Sequence, residues 1–183
     1  ALKAIVFVAS YSNPLMGRLS TVFDTSVIGS GQSVSAVDYI ITATGTQDLG
    51  STDEMVLQAH TRTSDTAYTA TDFNTTNGGA EVAARTARAS WNGGNDATNT
   101  MAFNAAGLTH TDVTGYTTVW LRMGDDVDDD GPANNAVIHH TSENTESATY
   151  DPQLVVTHVS SAPTIKTRNT IAIASVKTAN TVA

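Results

Sequence analysis

The chain of 183 residues contains no cysteine. Disulfides, thiolate nucleophiles and cysteine-ligated metals are therefore excluded. Charge is scarce as well: Asp, Glu, Lys and Arg together make up 15% of the residues, against about 25% in an average globular domain. No apolar run approaches the roughly 18 residues of a membrane-spanning helix, so no membrane span is expected. The opening ALKAIVFVA is too short for one, carries no signal-cleavage context and is expected to be a strand. Acidic residues stop at Asp151, and beyond it the only charges are Lys166, Arg168 and Lys177. Taking these three cations from the net charge of −9 leaves −12 on the body. A body this acidic repels phosphate backbones, which argues against nucleic acid as a partner.

What fills the space is Thr, Ser, Ala, Asn and Gly. The hydrophobic share of 40% is too high for a disordered chain. Thr suits strands, while Asn and Gly suit turns. Apolar alternation marks eight strands: Leu2–Ala9, Arg18–Phe23, Val34–Ala43, Met55–Thr61, Thr100–Asn104, Tyr116–Met123, Val137–His140 and Leu154–Val159. Between them lie turn dipeptides such as Asn77-Gly78, Asn92-Gly93 and Asp130-Gly131. Two stretches have helical character: Ala80–Arg88, and one turn within Ala105–Val113 with Thr109 or Thr111 near a cap. This pattern predicts an all-β fold, a two-sheet antiparallel β-sandwich of jelly-roll type over residues 1–160.

Pro163 closes that body, and residues 161–183 form an extended tail with an internal repeat. Ile165–Ala172 reads IKTRNTIA and Val176–Ala183 reads VKTANTVA, eleven residues apart. Such a tail cannot bury its apolar residues alone. Ile165, Ile171, Ile173, Val176 and Val182 are therefore expected to pack on another sheet edge, making the chain a homo-oligomer through its tail.

Several blocks resemble a secreted jelly-roll domain family. They are RLSTVFDTSVIGSGQSVSAVDYIITA from Arg18, TAYTATDFNTT from Thr66, MAFNAAGLTHTDVTGYTTVWLRMGDD from Met101 and HHTSENTESATYDPQLVVTH from His139. The resemblance spans roughly residues 18–159, and its FDTS and PxLVVT motifs speak to fold more than to function. Such domains occur in secreted polysaccharide-binding proteins and in tailed-phage virion and fibre proteins. The resemblance implies a virion or extracellular location, with other virion proteins or a polysaccharide as partners. The family's usual first strand pair is shortened here to ALKAIVFVASYSNPLMG.

Candidate chemistry is sparse. Asp126, Asp128 and Asp130 follow a D-x-D-x-D-G spacing, which makes Ca²⁺ a candidate cofactor held by alternate carboxylates. Position twelve of that run is Val137 rather than Glu, which excludes a helix-loop-helix calcium hand; the alternative is a solvated acidic tip. No HxH or HxxxH pair offers a zinc site, and no G-x-S-x-G elbow offers a nucleophile. Glu54, Asp72, Glu81, Glu143 and Glu146 are scattered and read as solubilising charge. Trp91, with Asn92 and Asn95, is the best glycan platform, a flat ring beside hydrogen-bonding side chains; its alternative is an anchor packed over the end of the sandwich. The expectation is a non-catalytic structural subunit of a virion that assembles and adheres. A secreted carbohydrate-binding module and a cell-surface filament subunit are the alternatives.

Overall fold

A computed structural model describes residues 7–8, 18–47, 54–64, 67, 69–73, 78–92, 96–128, 136–139 and 151–160. The tail from residue 161 onward, with Ile165, Ile171, Ile173, Val176 and Val182, lies outside the described residues, as do Asn95 and Asp130. Ten strands are described: β1 (Phe7–Val8), β2 (Leu19–Asp24), β3 (Gln32–Gln47), β4 (Glu54–His60), β5 (Gly78–Glu81), β6 (Thr86–Ala87), β7 (Ala97–Ala102), β8 (Tyr116–Met123), β9 (Ala136–His139) and β10 (Gln153–Ser160). Two short helices accompany them, α1 (Ala105–His110) and α2 (Gly124–Asp128).

The strands form two antiparallel sheets. Sheet A has the order β1-β2-β8-β4-β5, with β6 also on β4. Sheet B has the order β10-β3-β7, with β9 also on β3. From β2 to β3 to β4, and again from β7 to β8 to β9, the chain changes sheet, as in a jelly roll. The expected two-sheet antiparallel β-sandwich is therefore the architecture found.

Alternation along each strand builds the core between the sheets. Leu19 and Phe23 of β2, Met55 and Leu57 of β4, and Val119 and Leu121 of β8 face Val37, Tyr39 and Ile41 of β3, Met101 of β7 and Leu154 of β10. Phe23 and Tyr39 meet edge to face at 6.2 Å and 78°, tying one sheet to the other.

The stretch Ala80–Arg88 is not helical. Gly78–Glu81 and Thr86–Ala87 pair with β4 instead, and a single 3₁₀ turn follows at Arg88–Ser90. Tertiary pairing overrides its helix propensity. The Val82 amide donates to the Leu57 carbonyl (2.8 Å), and Val82 and Ala83 enter the core. The turn expected after Ala105 does form, as α1. Asn104 caps it by accepting from the Gly107 amide (3.0 Å), and Thr111 closes it. Gly107 is required there, because a Cβ would lie 2.4 Å from the Val82 carbonyl oxygen and 2.7 Å from the Phe103 ring.

The FDTS run has a clear structural use. Phe23 is core, and Asp24 accepts from the Ser26 amide (3.1 Å) to turn the chain. Thr25 is fully buried, shares a hydrogen bond with Thr117 (2.9 Å) and donates to the Asp112 and Gly115 carbonyls.

Candidate functional site

Strand alternation sends Ser20, Gln58, Trp120 and Arg122 to the outer face of sheet A. Ser20 and Gln58 both register against Trp120, so the three stand in one row across β2, β8 and β4. This face is not open. Ser20 and Trp120 are fully buried, and His60, Gln58 and Arg122 nearly so. The segment after β4 and helix α2 bring the polar partners that make this burial possible.

His60 lies flat on Trp120, with ring centroids 4.0 Å apart and planes 9° from parallel. Its Nε2 is 2.9 Å from the Asp72 carbonyl oxygen. A carbonyl only accepts, so Nε2 carries the proton and donates. In the neutral ring Nδ1 is then the acceptor, taking the Ser20 hydroxyl proton at 2.8 Å. Burial lowers the His60 pKa to about 4, so the neutral form holds at ordinary pH. The hydrogen bond to Asp72 opposes this shift without cancelling it.

A serine hydroxyl on a neutral imidazole is the pairing a hydrolase uses to activate a nucleophile. Here the third member is a carbonyl rather than a carboxylate, and Ser20 and His60 are 0% and 3% exposed. The pair fastens β2 and β4 to the segment 61–73 and offers no reacting atom to solvent.

Asp72 organises that segment. Its carboxylate accepts from the Thr63 amide (2.8 Å), the Thr69 amide (2.7 Å) and both threonine hydroxyls. Burial works against the charge, but these donors outweigh it and hold Asp72 well below the usual carboxylate range. The expectation of a scattered, solubilising Asp72 is therefore corrected: the side chain is fully buried and fully used.

Of the three candidate calcium ligands, Asp126 and Asp128 are described and Asp130 lies outside the described residues. Gly124–Asp128 form a helical turn. Asp126 is gripped by two guanidinium groups. Arg18 donates through Nε (2.8 Å) and Nη2 (2.6 Å), and Arg122 donates through Nε (2.7 Å). Arg122 also reaches the Asp126 carbonyl (2.7 Å) and Gln58 (2.8 Å). Both guanidinium groups lie over the Trp120 ring, at 5.7 Å and 5.3 Å. Burial would push the Asp126 carboxyl up, yet the two arginines hold it below its ordinary value. Asp128 pairs with Arg85 (2.5 and 2.8 Å), which also holds Glu81 (2.7 Å). The positive charge that answers Asp126 and Asp128 is arginine. Among the described residues no three His, Asp or Glu side chains group as metal ligands.

Trp91 takes the second of its two readings. It is 5% exposed and belongs to the core cluster, so its ring faces protein. The Asn99 side chain fixes the adjoining loop by accepting from the Asn92 amide (2.8 Å) and donating to the Asn92 carbonyl (2.9 Å). Asn92 itself is exposed.

Sheet B presents the contrasting surface. Register places Val155, Asp38 and Ala102 in one row of its outer face, and Gln153, Ile40 and Thr100 in the next. Val155 is 47% and Val159 57% exposed. Among the described residues β10 pairs only with β3, which leaves it at the edge of the sheet. Sequence reasoning missed the buried row on sheet A. The signal was available in the alternation of Gln58 and His60 with Leu57 and Ala59, and of Trp120 and Arg122 with Val119 and Leu121. Comparison with protein-family models and with curated proteins finds no match to this chain.

Proposed function

We propose that this chain is a structural subunit of a virion or another extracellular assembly, self-associating through residues 161–183. One observation carries the reading. The basic two-copy repeat, IKTRNTIA and VKTANTVA, follows a body of −12 charge and leaves it from an edge strand. Apolar positions that recur in an extended repeat call for a partner surface. The low-charge, Thr-rich composition and the resemblance to jelly-roll domains of phage virion and fibre proteins point the same way. So does the internal use of the body's striking polar groups, His60, Asp72 and Asp126, each of which ties one element to another. Burial of Trp91 removes the flat ring on which polysaccharide adhesion would rest, so the proposal rests on assembly.

The test is deletion of residues 164–183. Light scattering should give an oligomer for the full chain and a folded monomer for the deletion, with unchanged β-sheet circular dichroism. An unchanged oligomer mass would end the proposal.

A further inference from the structure

Strand β10 reads QLVVTHVS and carries no Lys, Asp, Glu or Pro. Natural edge strands are normally guarded by such residues, because a bare edge recruits further strands. Here those residue types are absent where Val155 and Val159 stand 47% and 57% exposed, and the register with β3 shifts once, between Thr157 and His158. β10 is eight residues long, and each tail repeat is also eight residues long.

Resting on the assembly reading above, we infer that the edge of β10 is the acceptor for the tail of a second copy, taken up as an added strand. Main-chain hydrogen bonds supply the pairing in such augmentation, and alternate side chains supply its selectivity. Charge favours the match: the tail carries three cations and no anion, while the acceptor sheet shows Asp38 beside Val155 and belongs to a body of −12. A tail folded back on its own sheet is the competing arrangement, which the double variant distinguishes.

The absence of cysteine gives a clean background for the test. Two full-length variants are made, Val155→Cys on β10 and Arg168→Cys in the tail, and are mixed under mild oxidation. A Thr100→Cys variant on β7 serves as the control for the same outer face. The expected result is the mixed disulfide joining positions 155 and 168, identified by peptide mass mapping, from the Val155→Cys and Arg168→Cys mixture, and no corresponding bond between positions 100 and 168 when Thr100→Cys replaces Val155→Cys. Equal cross-linking of both partners would overturn the assignment to β10. An internal disulfide in the double variant Val155→Cys/Arg168→Cys, with no product on mixing, would overturn it in favour of a tail folded on its own sheet. The assembly reading fails separately, through unchanged oligomer mass on tail deletion. A deletion that gives monomer, together with absent cross-linking at Val155, sinks only the acceptor.

Discussion

Trp120 of β8 and Val155 of β10 both point away from the core, yet Trp120 is fully buried while Val155 is 47% exposed. Around Trp120 the imidazole and the charged groups are matched: His60 with Ser20 and Asp72, and Arg18 and Arg122 with Asp126. Around Val155 the rows are short, neutral side chains with a single carboxylate, Asp38. One outer face is closed by ion pairs and a stacked ring, and the other is a sheet surface that ends, among the described residues, at β10, which carries no Lys, Asp, Glu or Pro. Within one sandwich, then, one outer face is closed by buried polar pairs and the other is exposed; on the proposed assembly it is the exposed face that meets a partner.

The comparison can be broken most sharply at Asp126. Asp126→Ala leaves Arg18 and Arg122 partly or wholly buried without their counter-charge, and unfolding in urea should show a loss of about 3–5 kcal/mol. Next is pH. The His60 pKa falls from 6.5 to about 4 on folding, so the unfolded chain binds the extra proton between those values. Stability should therefore be full above about pH 6.5 and decline as pH falls toward 4, by about 3 kcal/mol in all. Asp72 and Asp126 are held low, so their contribution is lost only at pH below the ordinary carboxylate range. A His60→Gln variant should flatten the upper window and leave the acid limb. A smaller effect, about 1–2 kcal/mol, is expected for Thr25→Val, which removes the hydroxyl shared with Thr117 at the end of sheet A. The smallest belongs to sheet B: Val155→Thr should change the stability of the tail-deleted chain by no more than about 0.5 kcal/mol. A large loss there would show that the outer face of sheet B also holds the fold together.

Much of the fold was legible because alternation is a local signal. YTTVWLRM marks β8 residue for residue, and PxLVVT marks the start of β10. What local patterns do not carry is register. The buried row needs Ser20, Gln58 and Trp120 brought side by side from three strands, and only the sheet order does that. Helix α2 was hidden for a similar reason. GDDVD looks like an acidic turn until Arg18, 108 positions away in sequence, meets Asp126. Residues 80–88 looked helical because Ala and Arg favour helices, and pairing with β4 decided otherwise. Trp91 looked like a loop platform because its neighbours are Asn and Gly, while its ring was needed in the core.

The most direct measurement is amide hydrogen exchange on the assembled full chain and on the 164–183 deletion, with β8 as the internal standard. The account expects β10 amides to be protected in the full chain and to exchange much faster in the deletion, while β8 stays equally protected in both. Equal exchange of β10 in the two proteins would contradict it.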